Sequence, residues 1–378
     1  MNKSKYFGAT YITLYVWLII FAVIIGIIWY WRAQVGKKSG NVDKMKAEYK
    51  SAGLKFKSGG GSKIQPINSV EPKFTYPLKH YFISTSYNTC CAGDFQDSYV
   101  TLEPIKEVLE SGARVLDFEI YSVDDKCVVA ASPYKALGLK GTYNSLPIND
   151  VLNQVQSYAF SSPSPNPTDP LFLMFRIKSG RKDIYAPLAD AIVDNFGSRL
   201  MDARWSYGGR GRKNHNIANV KLNELQNKVI IIGYQENNNF ATDNNKFWEL
   251  INITPYKSGT RIIRTYDAMY PSNPKDLINL NKLSLCICLP DLNEISKNPS
   301  AIVQQNMGCQ MSGMSFQQLD ENMKYYLNYF EEKGTSFVLK PKELRSDDKP
   351  IKCPAPQDPN LSLASKEHEL AGGFKLTL

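Results

Sequence analysis

Histidine is nearly absent from this chain: three residues in 378, His80, His215 and His368. So few imidazoles leave little room for acid–base chemistry run by paired histidines, or for histidine-rich metal centres. The cysteines number seven, Cys90, Cys91, Cys127, Cys286, Cys288, Cys309 and Cys353, with no C-x-x-C pair and no histidine at zinc spacing. An odd, unpatterned set argues against a disulfide framework or a zinc module; buried thiols in a reduced compartment are the economical reading. Acidic residues are outnumbered, 36 against 45 Lys and Arg, for a formal net charge of +9. That balance favours acidic partners such as phospholipid headgroups or nucleic acid and names neither. Lipid and protein partners are expected, and nucleic acid is not.

Charge is missing altogether from "YITLYVWLIIFAVIIGIIWYW", residues 11–31. About 21 apolar residues suffice to cross a hydrocarbon core of roughly 30 Å as a helix, and aromatics flank both ends as an interfacial belt would. A cleaved signal peptide is the alternative, but the run exceeds the usual h-region and no A-x-A-like site follows it. Lys3 and Lys5 precede the run, whereas Arg32, Lys37, Lys38, Lys44, Lys46 and Lys50 follow it. The positive-inside rule therefore places the C-terminal bulk on the cytoplasmic side of a single-pass protein. Four segments are expected: an anchor (1–33), a flexible basic linker (34–70) containing "KSGGGSK", a folded body (71–346) and a polar, proline-containing tail (347–378). The linker's lysines either lie against anionic headgroups or belong to a solvated tether.

Within the body, apolar runs alternate with amphipathic segments. "HYFIS", "ARVLDFEIY", "CVVAA", "LFLMFRI", "KVIIIGY", "TRIIRTY", "LSLCICL" and "SFVLK" read as strands; "LEPIKEVLES", "INDVLNQVQSYAF", "IYAPLADAIVDNF" and "ENMKYYLNYFEEKG" read as helices. This alternation predicts an α/β fold with a parallel sheet, and about eight strand candidates favour a TIM-type barrel over an open sheet. The loop "YGGRGRKNHN" around His215 is basic and glycine-rich but lacks the strand-to-helix context of a phosphate cradle.

Over residues 77–346 the chain resembles the phosphoinositide-specific phospholipase C family. "PLKHYFISTSYNT", "SGARVLDFEIY" and "INDVLNQVQSYAF" are similar to the first half of that family's catalytic barrel. "MGCQMSGMSFQQLDENM" and "GTSFVLKPKELR" are similar to the second. The remaining length is too short for the regulatory modules of the animal enzymes. The resemblance implies a site where an inositol hydroxyl attacks phosphorus, two histidines move protons and calcium stabilises charge.

The positions that match those residues are changed. Tyr87 stands where the first histidine is expected, followed by a retained Asn88, and Ala131 stands at the second. A phenol with pKa near 10 is a poor proton shuttle at neutral pH, and alanine is none. For calcium, the resemblance implies that Asn, two carboxylates on the second strand and a Glu on the fourth. Asp117 and Glu119 supply the pair, in reversed order and two residues apart, hence on one face of a strand. The fourth-strand position is Arg176, or Lys178 if the register slips by two. Arg176 is expected to pair with Asp117 and Glu119, an internal salt bridge in place of the metal, so no cofactor is expected. Ile232 and Tyr234 occupy the positions of the family's phosphate-binding lysines. Arg264 and Tyr266 match its headgroup-contacting Arg and Tyr, as a structural pair or a relict contact.

The expectation is a membrane-anchored phospholipase C-like pseudo-enzyme kept as a structural or interaction module. An Asn- and Lys-rich composition fits an AT-rich genome such as that of a large DNA virus, where the role would be a membrane-to-capsid scaffold in a virion membrane. Two other classes compete: an active phosphodiesterase with a rearranged base, for which His215 is a candidate, and a non-catalytic phosphoinositide-headgroup binder using Arg264, Tyr266 and Arg176.

Overall fold

The structure is a computed structural model that describes residues 3–51, 62–162, 164–206, 216–235, 246–255, 259–346, 367–370 and 372–377. His215, its basic loop and Cys353 lie outside the described residues. The chain divides into a large unit, Met1–Arg345, and a small one, Ser346–Leu378.

Ten strands make one sheet in the large unit: β1 (Tyr81–Ser86), β2 (Val115–Val123), β3 (Lys126–Ala130), β4 (Leu146–Pro147), β5 (Leu171–Ile177), β6 (Val229–Tyr234), β7 (Thr260–Arg264), β8 (Leu285–Leu289), β9 (Met311–Met314) and β10 (Phe337–Leu339). Seven of them run parallel in the order β6-β5-β2-β1-β9-β8-β7. β1, β5, β8 and β9 are buried along their whole length, as expected of strands covered on both faces. Between β6 and β7 the described residues show a single parallel bridge, Ile232 to Ile253, at the eighth position. The fold is a TIM-type barrel.

Two strand candidates are not staves of it. β3 returns antiparallel to β2, from Val123↔Lys126 to Glu119↔Ala130. Only Asp124 and Asp125 separate the two strands, both at positive φ (49° and 59°), which is the two-residue hairpin geometry. A parallel crossover needs a dozen residues or more, so the connection length fixes the orientation. β10 likewise pairs antiparallel to β1. In their stead β9, a four-residue Met-Ser-Gly-Met strand without an apolar run, completes the parallel set.

Helices α2 (Glu103–Glu110), α3 (Ile148–Ala159), α4 (Tyr185–Phe196), α5 (Thr265–Met269), α6 (Pro274–Leu283), α7 (Ala301–Asn306) and α8 (Glu321–Lys333) connect the strands. α8 shows how locally such a boundary is set: the Asp320 side chain accepts from the Met323 amide, and Gly334 ends the helix at φ +66°.

The linker expected at 34–70 is replaced by structure at both its ends. α1 (Lys3–Ser51) runs unbroken through the apolar segment and 18 residues beyond it. Its last turns bury Val42, Met45 and Tyr49, spaced three and four apart on one helical face, and the Tyr49 hydroxyl donates to the Phe316 carbonyl at 2.6 Å. Charged residues between those three positions, Asp43, Lys44, Lys46 and Glu48, hid the apolar stripe. Residues from 62 onward also pack on the barrel: Ile64 and Ile67 are buried, Ser62 donates to Glu331 and Ile67 N–H to Asp169. The tail is not wholly irregular either, since β11 (Glu367–Leu370) and β12 (Phe374–Thr377) pair as an antiparallel hairpin. The six described cysteines are all unpaired and buried.

Lys340, which follows β10, donates to the carbonyls of Gly308 (2.7 Å) and Asn281 (3.2 Å). Burial pulls its pKa down from 10.5 to about 7, against the opposing influence of Cys309 and Cys286. From pH 7 to 10.5 the unfolded lysine holds more protons than the folded one, so this group makes stability rise with pH, by up to about 1.4 kcal/mol per unit. Below pH 7 both states are protonated and the slope vanishes. Unfolding measured at pH 7, 8 and 9 should show the rise in the native chain and a flatter profile in Lys340→Met.

Candidate functional site

The C-terminal ends of the barrel strands gather the site. Alternation along β2 turns Asp117 and Glu119 to one face, and the parallel register sets Glu119 beside Arg176 of β5. Arg176 therefore reaches both carboxylates. Its Nε donates to Asp117 Oδ1 (2.7 Å) and its Nη2 to Asp117 Oδ2 (2.8 Å), a two-point grip. Nη1 donates to Glu119 Oε1 (2.6 Å), and Nη2 also reaches Asn88 Oδ1 (2.7 Å). Asn88 adopts φ +46°, the left-handed region that asparagine tolerates, and its amide donates to Asp117 Oδ2 at 2.9 Å.

Tyr87 covers the cluster. The Arg176 guanidinium carbon lies 4.5 Å from the centroid of its ring, a cation–π distance, and Phe95 meets the same ring edge-on at 5.5 Å. Tyr87 is 2% exposed, and burial raises its hydroxyl pKa despite the opposing charge of Arg176. Arg176 loses solvation by burial, but Asp117, Tyr87 and Glu119 outweigh that and raise its pKa well above the ordinary value. The space among Asn88, Cys90, Cys91, Asp117 and Glu119 has no room for a water molecule.

The remaining candidate positions lie apart from this knot or add nothing ionisable to it. Ala131 is buried just beyond β3, its carbonyl accepting from the amides of Gly141 and Thr142. Lys178, the other register, turns away and donates to the Tyr134 carbonyl at 2.7 Å, so Arg176 is the residue that faces the carboxylates. Ile232 is buried and Tyr234 half-buried on β6. Arg264 donates to the Pro290 carbonyl at 2.8 Å, and Tyr266 is 63% exposed against the Tyr270 ring. The Arg264 charge also acts on the Tyr87 hydroxyl that covers the cluster. His80 sits at the opposite end of the barrel, before β1.

One member was missed by the sequence reading: the Tyr121 hydroxyl donates to Glu119 Oε2 at 2.6 Å. Its position, two residues beyond Glu119 on the same strand, was the available signal.

A calcium ion does not fit these residues. The centre of the carboxylate pair is filled by a guanidinium, and β5 brings a cation where a further hard oxygen ligand would be needed. No group of three or more His, Cys, Asp or Glu able to hold a metal occurs among the described residues.

A parallel barrel with a charged cluster at the strand C-termini defines a class, the TIM-type barrels, and sequence comparison narrows it. Residues 74–235 match phosphatidylinositol-specific phospholipase C, X domain, and residues 225–343 match the Y domain of the same family. The chain belongs to the phosphatidylinositol-specific phospholipase C family. Among curated proteins, the Mus musculus protein named inactive phospholipase C-like protein 1 is 23% identical over 320 residues, 74% of this chain and 28% of the relative. Among solved structures, PLC21 of L. pealei superposes with TM-score 0.57 at 20% identity, over 73% of this chain and 38% of that one. PLC21 of S. officinalis gives 0.58 at 18%, over 78% and 39%. The chain thus spans well under half the length of each of these proteins, and the two structural likenesses establish the fold.

Arg176→Ala leaves two buried carboxylates without their cation, a change that typically costs about 3–5 kcal/mol. Denaturant unfolding should show that loss. Arg181→Ala, which removes an exposed arginine paired with Asp125 and Asp183, should leave the midpoint unchanged.

Proposed function

We propose that this chain is a catalytically inactive phospholipase C-like barrel, anchored by one transmembrane helix and serving as a structural or interaction module at a membrane surface. The observation that carries the reading is Arg176, locked between Asp117 and Glu119 beneath the Tyr87 ring. In the family, that space holds the metal and admits the substrate phosphate; here it is solid. Loss of one acid–base group costs about 10²–10⁴ in rate, and loss of a Lewis-acid metal several kcal/mol more. Tyr87 and Ala131 stand in place of both proton carriers, and His80, the described histidine of the large unit, lies at the opposite end of the barrel. The name of the mouse relative agrees with this reading.

The anchor is the helix α1, of which Leu14–Ala33 is long and apolar enough to cross a bilayer and is wholly exposed. Basic residues on its C-terminal side support a cytoplasmic barrel. A virion membrane, with the barrel joining lipid to capsid, is the specific setting that the Asn- and Lys-rich composition suggests.

The detergent-solubilised chain should release no inositol phosphate from phosphatidylinositol, with calcium or with chelator. Calcium-dependent release above a mock preparation overturns the reading. Tyr87→His with Ala131→His should remain inactive, because the guanidinium still fills the metal position; Arg176→Glu is the necessary third change.

Deleting residues 1–33 should move the protein to the soluble fraction, while Arg264→Ala in the full chain should leave it membrane-bound. If the deleted form still pellets with plain lipid vesicles at physiological salt, the barrel itself binds lipid and the headgroup-binder reading gains.

A further inference from the structure

α1 does not stop at the membrane boundary, and where it docks decides how the barrel sits. Its first contacts beyond the apolar segment are with the loop that follows β1. Lys37 Nζ donates to the Asp97 carbonyl at 2.7 Å and stands 5.9 Å from the Tyr143 ring centroid, and Asn41 Nδ2 donates to Ser98 Oγ at 3.3 Å. Further along, Lys46 acts on Glu107 of α2, and Tyr49 bonds the Phe316 carbonyl in the loop after β9. The segments at 93–98 and at 316 both follow C-terminal ends of barrel strands. α1 therefore meets the barrel at its mouth and descends from there along its flank, so the end of α1 that enters the apolar segment is the mouth end.

The stand-off follows from helix geometry. The apolar segment ends at Ala33, and Lys37 already bonds the barrel. Four residues of helix rise about 6 Å. One headgroup layer, half the difference between the roughly 40–45 Å bilayer and its 30 Å core, is about 5–8 Å thick. A barrel fixed to Lys37 thus begins inside or at the edge of the headgroups, and helix tilt only shortens the gap.

The loop between β3 and β4 occupies that level. Tyr143 is 44% exposed and lies beside the first turns of α1 beyond the apolar segment, its ring facing Lys37. The same loop exposes Leu139 (49%) and Tyr134, with Lys135 and Lys140 between them. Apolar and aromatic side chains interleaved with lysine are the composition that an interface accepts.

We propose that α1 is a rigid strut that holds the barrel mouth, through the β3–β4 loop around Leu139 and Tyr143, against the headgroup layer of the same bilayer that its apolar segment crosses. The contact is imposed by the helix and needs no headgroup pocket. This rests on the reading of Leu14–Ala33 as a span.

The test uses the full chain with Cys353→Ser and an environment-sensitive fluorophore on Leu139→Cys at the mouth, or on Val70→Cys, an 80% exposed position preceding β1 at the other end. Each is reconstituted into phosphatidylcholine vesicles with and without a headgroup spin label. Quenching at position 139 should exceed that at position 70 several-fold. A ten-residue Gly-Ser insertion between Val35 and Gly36 leaves every docking residue in place but adds about 17 Å of flexible reach, so it should abolish the difference.

Equal quenching at both positions in a chain that resists carbonate extraction overturns the strut while leaving the span intact. Quenching at 139 that survives the insertion also overturns it, because the loop then holds itself to lipid. A chain that carbonate extracts has no span, and both readings fall together.

Discussion

The guanidinium of Arg176 is the constraint around which the barrel's C-terminal end is arranged. It ties three consecutive parts of the barrel wall: Asn88 after β1, Asp117 and Glu119 on β2, and its own strand β5. Four donor contacts in one plane leave little freedom to a group that would be expensive to bury alone. Tyr87 closes the top, Phe95 braces Tyr87, and the cysteines beside them fill the remaining space. A barrel mouth that in an enzyme must stay polar, hydrated and open is here packed like the barrel's middle.

Charge explains why such a replacement is tolerated. The family pattern implies three carboxylates around a dication, a net charge of −1; two carboxylates around a guanidinium leave the same −1. Exchanging one carboxylate for arginine therefore removes the metal without changing the charge of the buried cluster. The electrostatic field at the mouth survives although the Lewis acid does not. What changes is reversibility: calcium sites exchange ligands and accept substrate oxygens, whereas a side chain bonded through the backbone of β5 cannot leave. Such a pair adds rigidity more surely than it adds stability, since a well-packed apolar substitute of similar volume is often no worse.

How much of this was legible in the sequence depends on the range of the signal. Asp117 and Glu119 could be set on one face because strand alternation is a local rule, whereas Arg176 was set against them by the family resemblance, and the parallel register of β2 and β5 is what brings it there. The orientation of β3 was also legible, in the two-residue Asp124–Asp125 connection, and was read too coarsely as one more stave. β9 was not legible, because Met-Ser-Gly-Met carries no apolar periodicity and becomes a strand only by filling the slot between β1 and β8. The position of β7, and so of Arg264 and Tyr266, around the barrel is a matter of strand order, which no local pattern encodes. The extension of α1 to Ser51 lay between these cases: Val42, Met45 and Tyr49 have helical spacing, but Lys and Gly around them resemble a tether.

That extension has an internal energetic logic. Gly36 and Gly40 each weaken a helix by about 1 kcal/mol relative to alanine, so this stretch would not stay helical on its own merits. Burying Val42, Met45 and Tyr49 returns about 1.5–3 kcal/mol for each large apolar side chain, taken as an upper bound. Docking on the barrel thus outweighs the glycines and keeps the helix continuous. Continuity and docking are then one equilibrium: whatever loosens the last turns of α1 from the barrel also softens the helix at Gly36 and Gly40, close to the apolar segment. The barrel consequently stiffens the helix that carries the apolar segment, and a packing change at Tyr49 is felt along that helix.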